Sequence, residues 1–233
     1  MNLTGKNMTL SLSKHGLNRD SVFGFSCGRC IVCCRNKKIQ LNPYEIARMA
    51  NHLGISTTEF ISIYTVKGTV LKTMADGACI FLKTDGCTIH PDRPLVCRLY
   101  PLGRHIRHPW IETFSQFEPE PGCKGTFNRG GTIETYLETQ GAFDFMRAAD
   151  LYLELLCFLL ETLKDKPLSP DQSDTILETV KNITKGRASE NDLKWIDMDR
   201  TIADYCRQSG QPVPSTLDEK MAIHITAVRK WAA

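Results

Sequence analysis

The apolar positions of this chain follow two regimes. Beyond Gly131 they recur at helical spacing over long stretches, and before it they come in short bursts between polar and turn-forming residues. Ile133, Tyr136, Leu137, Phe145, Ala149, Leu153, Leu156 and Leu160 fit one long amphipathic helix that ends near Lys166-Pro167. Three more helices are expected over 174–185, 192–207 and 216–231. The first half begins with a polar stretch, residues 1–22, which reads as an arm or an edge strand. Asn42 then supplies an N-cap, Pro43 suits the first helical position, and Glu45 completes a capping box. Ile46, Met49, Ala50 and Leu53 carry that helix to a stop at Gly54. Ser56 and Glu59 repeat the device for a second short helix, with Phe60, Ile63 and Tyr64 on its apolar face.

Downstream, Cys79-Ile80-Phe81-Leu82 and Cys87-Thr88-Ile89-His90 flank Asp85-Gly86, the pattern of a β-hairpin. Pro94 opens a short helix through Cys97 to Leu99, and Pro101 prevents its continuation. From Gly103 to Gly130 the chain reads as loop, with His105, His108 and several prolines, and with Phe114 and Phe117 placed to shield the cysteines. The expected fold is mostly α with a small β-hairpin: a cysteine-rich metal-binding half followed by a helical half. The expected boundaries are an arm at 1–22, a cysteine-cluster domain at 23–130, and a helical region at 131–233 packed on it.

The chain has 233 residues, 42% of them apolar, enough for a core without covalent staples. Residues 1–7 lack the apolar segment of a secretory signal, and the longest apolar run, Leu151 to Leu160, is short and broken by Glu154. A cytoplasmic protein with no membrane span is expected, in a compartment where thiols stay reduced. The net charge of +3 conceals an asymmetry: 23–130 hold 14 Lys+Arg against 8 Asp+Glu, whereas 131–233 hold 12 against 17. The basic half has no aromatic-interleaved basic run, which argues against nucleic acid. Arg29, Arg35, Lys37, Lys38, Arg93 and Arg98 are better read as offsets to thiolate charge.

Ten cysteines then decide the chemistry. Cys27, Cys30, Cys33 and Cys34 lie within eight residues, Cys79, Cys87, Cys97 and Cys123 follow, and only Cys157 and Cys206 lie in the second half. Cys157 and Cys206 read as core residues on apolar helical faces. The C-x2-C spacing lets two thiolates reach one metal, and C-x2-C-x2-C suits three corners of a cubane iron–sulfur cluster. The run departs from the bacterial ferredoxin pattern, since Cys34 follows Cys33 directly and no Cys-Pro comes three residues later. Eight clustered cysteines suggest two four-thiolate sites, or one cluster plus a mononuclear metal. Disulfides, a vicinal one included, conflict with a reducing compartment. Phosphate-binding glycine loops and a Gly-x-Ser-x-Gly elbow are absent from the sequence. A thiol-protease reading fails because the cysteines come in chelating groups.

The ordered segments Cys27-Gly-Arg-Cys30-Ile-Val-Cys33-Cys34, Leu41-Asn-Pro-Tyr-Glu-Ile, Cys79-Ile-Phe-Leu, Gly86-Cys87-Thr-Ile-His and Arg93-Pro94-Leu-Val-Cys97-Arg98-Leu-Tyr-Pro101 resemble the YkgJ-type CxxCxxCC cysteine-cluster family. The resemblance covers about residues 23–125 and implies a zinc- or iron-chelating domain, often labelled an iron–sulfur oxidoreductase. A related signature occurs in flagellin lysine N-methylases. It implies Cys27, Cys30, Cys33, Cys34, Cys79, Cys87 and Cys97 as metal ligands, with Cys123 as the eighth. His90 departs from it, standing where an aromatic is expected.

Arg93 and Arg98 flank Cys97 and are candidates to hold cluster charge or a substrate carboxylate behind the ligands; an ordinary salt bridge to the acidic half is the alternative. His90 reads as a hydrogen-bonded turn residue, His105 and His108 as surface, and Tyr100 as core or as a hydrogen bond near the site. The leading expectation is an iron–sulfur protein, with a 4Fe-4S cluster or two metal sites. It would act in electron transfer or cluster-dependent modification, with a redox partner or protein substrate. The rival is a zinc-stapled partner-binding module, and lysine methyl transfer is implied by resemblance alone.

Overall fold

The computed structural model describes residues 12–107, 109–165 and 170–232. In chain order these form β1 (Leu12–Leu17), β2 (Val22–Ser26), α1 (Pro43–Leu53), α2 (Thr57–Tyr64), β3 (Thr65–Val66), β4 (Val70–Leu71), β5 (Leu82–Lys83), β6 (Gly86–Cys87), α3 (Leu95–Leu99), β7 (Leu102–Arg107), β8 (Ile111–Phe117) and β9 (Thr126–Thr132). They continue as α4 (Ile133–Thr139), α5 (Phe143–Asp165), α6 (Pro170–Thr184), α7 (Met198–Ser209) and α8 (Leu217–Ala232). Among the described residues the chain forms two compact units interleaved in sequence: residues up to Lys38 with Thr73–Asp144, and Ile39–Lys72 with Phe145–Ala233.

The expectation of a mostly α protein with one small hairpin is overturned. Among the described residues nine strands form four small antiparallel sheets, in the orders β1-β8-β7, β2-β9, β3-β4 and β5-β6. The span read as loop from Gly103 to Gly130 contains most of β7 and β9 and all of β8. Six registered pairs, from Leu102↔Gln116 to Arg107↔Ile111, hold β7 on β8. Residues 12–17 do form an edge strand, on β8; the rest of the expected arm up to residue 11 lies outside the described residues.

The sheet β1-β8-β7 belongs to the first unit, where Phe114 on β8 is 0% exposed. Ile89, Ile133 and Leu137 are buried in the same unit. Arg19 and Arg104 both bind the Glu112 carboxylate, at 2.6 and 2.5 Å, which ties the turn after β1 to the β7–β8 pair. The hairpin expected over 79–90 is shorter than its sequence pattern: β5 and β6 pair only through Leu82↔Cys87 and Lys83↔Gly86, with Gly86 at φ 114. The single long helix expected from Ile133 is two helices. α4 ends before Gly141, whose φ of 58 is left-handed, and α5 starts afresh at Phe143. The expected end at Lys166-Pro167 lies outside the described residues.

The second unit is helical. α1 starts as read: the Glu45 amide donates to Asn42 Oδ1 and the Asn42 amide to Glu45 Oε2, each at 2.9 Å. Gly54, at φ 69, closes the helix. α1 and α2 lie against α7 and α8 over a core that includes Ile46, Met49, Phe60, Ile202 and Val228. Asp197 caps α7 and also accepts the hydroxyls of Thr57 (2.7 Å) and Thr58 (2.6 Å) at the start of α2. That cross-link explains how a segment near residue 60 joins helices near residue 200. Among the described residues no helix is long and apolar enough to cross a membrane.

Candidate metal centre

All eight clustered cysteines fall in the first unit. The Cys27–Cys34 loop is shaped by backbone that L-residues seldom adopt, with Arg29 at φ 49 and Ile31 at φ 59, before a 3-10 turn over Val32–Cys34. These two bends reverse the chain after each of the first two cysteines. As a result the Arg29 amide lies 3.4 Å from Cys27 Sγ, and the Val32 amide donates to Cys30. The same amide-to-sulfur contact from the residue two places on recurs at Cys79 (Phe81), Cys87 (Ile89) and Cys123 (Gly125, 3.3 Å). Five separate sulfurs therefore receive a backbone N–H, which favours the thiolate over the thiol.

Long-range contacts bring the distant cysteines to this loop. Asn36 donates to the Gly77 carbonyl (2.8 Å), Arg35 binds Asp76 (2.8 Å), and the Cys79 amide donates to the Cys34 carbonyl (2.9 Å). The β5–β6 pair turns the chain so that Cys87 returns beside Leu82. At the other side of the loop, the Lys124 amide and the Cys123 thiol both reach Cys30. Cys97, on α3, faces Cys34.

The electrostatics follow from this crowding. Burial opposes ionisation at Cys30, yet the amides of Lys124 and Val32 and the Cys123 thiol outweigh it and bring Cys30 below the ordinary thiol range. Cys33 is pushed far up, first by donating its S–H to Cys34 and then by burial. Cys34 is lowered chiefly by that bond, against burial and against Cys97, Cys87 and Cys79. Burial raises Cys79, Cys87 and Cys123. Thiolates held this close repel one another, and a bound cation relieves the repulsion. Among the described residues no three Cys, His, Asp or Glu side chains meet at metal-bonding geometry. The sulfurs are neighbours joined by hydrogen bonds and charge. An all-sulfur donor set with amides aimed at the sulfurs fits a thiophilic ion or an iron–sulfur cluster.

The two arginines read as flanking the site occupy different positions. Arg93 lies within electrostatic reach of Cys87 and donates to Gln140 Oε1 (2.9 Å). Arg98 is 5% exposed, and its guanidinium serves the carbonyls of Arg93 (2.9 Å), Gln140 (2.7 Å) and Pro91. It ties α3 to the end of α4. His90 is an exposed turn residue beside Arg93, held below the usual histidine range by partial burial and by Arg93, Arg29 and Arg98. His105 bonds Ser115 across β7 and β8 at 2.8 Å, and His108 lies outside the described residues. Cys206 is buried at 3%, as expected, but Cys157 is exposed, so its apolar neighbours in sequence do not place it in the core.

Tyr100 has a larger part than sequence suggests. Its hydroxyl accepts the Glu120 amide (2.8 Å) and donates to Cys123, while its carbonyl accepts Tyr136 Oη (2.6 Å). Glu120, itself buried, pairs with Lys37 from the end of the cysteine loop. No local sequence signal marks these contacts, because each joins segments far apart in the chain.

Comparison with known proteins agrees with the site. Residues 26–120 match the CxxCxxCC family, described as "Putative zinc- or iron-chelating domain". Cys123 falls just past the end of that match. The chain is 28% identical over 140 residues to an uncharacterized protein of Methanocaldococcus jannaschii, a match covering 58% of this chain and 71% of that protein. No solved structure matches it. The cysteines from Cys27 to Cys97 lie inside the span that is similar to this zinc- or iron-chelating family, and the fold draws that span's cysteines into one unit.

Proposed function

We propose that the cysteines hold iron as an iron–sulfur cluster and that the protein carries electrons between redox partners in the cytoplasm. The observation that carries this reading is the set of five amide-to-sulfur contacts on an all-sulfur donor set. Hydrogen bonds to sulfur are one of the means by which a protein sets a cluster's potential. A cluster bound there supplies a one-electron change between a protein reductant and a protein oxidant. Cys27 and Cys97 are exposed, so the site lies near the surface of its unit, where a partner can approach. Arg93 near Cys87 offsets part of the negative charge.

Anaerobic purification followed by iron and acid-labile sulfide quantitation tests the proposal. Iron and sulfide in equal amounts, with a reversible one-electron signal, support it. A colourless protein with stoichiometric zinc and no sulfide overturns it.

One observation favours a second reading, a zinc-stapled module. The strands β5 and β6 have two residues each, far below what a hairpin needs to stand alone. A metal joining Cys79 and Cys87 to the loop would hold that region by itself. The same quantitation separates the readings.

A further inference from the structure

We propose that the second unit binds a small aromatic oxyanion, a flat ring joined to a phosphate or carboxylate, in a two-part site whose common wall is Lys194. No cysteine lines either part, so the metal reading above does not enter.

The 3-10 turn Glu190–Trp195 packs against α6 and α7, and α7 packs against α8. The turn, α6 and the start of α7 line a polar cleft of about 470 Å³. Thr175, Thr179 and Asn191 supply hydroxyls and an amide there, Lys194 and Arg200 the cations, and Glu190 one carboxylate. The same turn with α7 and α8 lines a slot of about 190 Å³, whose walls include Trp195, Tyr205 and Trp231. Lys194 lines both.

The cations of the cleft are short of counter-charge. Arg200 is exposed, and among the described residues its guanidinium has no ion-pair partner. Asp192 favours the charged form of Lys194, but it is buried, and its Oδ2 already accepts the Ser189 amide and hydroxyl, both at 2.7 Å, and Asn182 at 3.2 Å. Burial holds Lys194 below the ordinary lysine range, and Asp192 offsets this only in part. An anion in the cleft completes the balance. Glu190 suits a ligand that also carries hydroxyl or amino donors.

The slot supplies the surface for a ring. Lys194 Nζ sits 3.5 Å from the centroid of the Trp231 ring, which holds the ammonium at the boundary between the two parts. Thr201 Oγ1 donates to the Lys194 carbonyl and fixes the turn on α7. Trp195 meets Trp231 edge to face at 4.6 Å, and Trp231 is 43% exposed, so much of its indole is open to a stacking partner. Trp195 is buried, and its indole N–H has no acceptor, an orphaned donor in a wall of the slot. Aromatic walls beside a few convergent polar groups are what small-molecule sites share. A bare anion would use only the cleft and a neutral ring only the slot, whereas a ring joined to an oxyanion uses both sides of Lys194.

Tryptophan fluorescence of the full-length protein, with its metal in place, reads the site. Replacing Trp110 of the first unit (Trp110→Phe) leaves Trp195 and Trp231 as the reporters. Adenosine 5′-monophosphate, phenyl phosphate and phenylacetate are titrated against adenosine, inorganic phosphate and acetate. At least one ring–oxyanion molecule should change the emission with a Kd below about 1 mM, and its ring or anion alone should bind at least roughly tenfold more weakly. Preference for the two phosphates or for phenylacetate identifies the oxyanion. Arg200→Gln alters an exposed side chain, so it should keep the urea midpoint and weaken binding by roughly tenfold, as loss of a charged hydrogen bond does. Lys181→Gln, on α6 but outside both linings, should leave binding unchanged. Emission unmoved by all three molecules at about 10 mM, a ring or anion alone binding as tightly as the joined molecule, or unchanged binding by folded Arg200→Gln each overturns the proposal.

Discussion

The Tyr100 hydroxyl donates to the Cys123 thiol, and the Glu120 amide, 2.8 Å from the same oxygen, fixes the phenol in place. An O–H pointed at sulfur stabilises the thiolate that a metal requires. Tyr100→Phe removes that donor and keeps the ring edge-to-face on Phe25. Metal affinity should fall by roughly tenfold, the low end of what lost partners behind metal ligands cost. Competition against a chromophoric chelator measures it. If an iron–sulfur cluster is present, its potential should move to more negative values, because the hydrogen bond favoured the reduced, more negatively charged form.

Gly28 has no room for a side chain. The atom that an added Cβ would strike is the backbone oxygen of Lys124, at 2.4 Å, which cannot swing aside. Gly28→Ala should therefore separate the Cys27–Cys30 bend from Cys123, at a cost of about 1–3 kcal/mol typical of overpacking. Elemental analysis should show lost metal. Gly54→Ala is the control: its φ of 69 makes it costly to α1, but open space surrounds it and it lies in the other unit. That variant should lose stability by about 1 kcal/mol and keep its metal.

What could be read from the sequence was local. The capping pairs Asn42–Glu45 and Ser56–Glu59 are three residues apart, so α1 and α2 were legible, and the C-x2-C-x2-C run marked the cysteine loop. The sheets were not, since β1 finds its partner in β8 and β2 in β9, far along the chain. β9, Thr-Phe-Asn-Arg-Gly-Gly-Thr, is exposed along most of its length, so it shows no alternation and looks like loop. Gly141 sits inside an apolar pattern that continues across it, and periodicity alone gives no sign that the helix breaks there. The cysteines that gather in the first unit could be named from spacing. Their contacts could not, because these depend on where Lys124 and Ala78 return to the cysteine loop.

Arg98 sits beside a cysteine but spends its guanidinium on three carbonyls, those of Arg93, Gln140 and Pro91. A lysine cannot reproduce that planar fork, and a buried carbonyl left without a donor costs roughly 1–3 kcal/mol. Arg98→Lys should lower the urea midpoint by an amount equivalent to about 2 kcal/mol. Stability should suffer before metal content does. An Arg98→Lys protein of unchanged midpoint but weakened metal binding would place the residue's role at the thiolates instead.

His224 is fully buried on α8, with Nδ1 3.0 Å from the Tyr152 hydroxyl and Nε2 without a hydrogen-bond partner. Desolvation lowers its pKa to about 3, against 6.5 for an exposed histidine. Between those values the unfolded chain binds a proton that the folded chain refuses, so stability increases with pH across that window. The contribution is complete above about pH 6.5 and is lost as pH falls toward 3. It amounts to a few kcal/mol at most, at about 1.4 kcal/mol per pKa unit. His224→Phe deletes the titration and fills much the same volume, so its melting temperature should fall less than the parent's between pH 7 and pH 4.5. Metal release in acid affects both proteins alike, and the difference between the two curves isolates the histidine. Parallel curves would mean that the unfolded chain also keeps His224 neutral, or that the folded chain opens to protonate it.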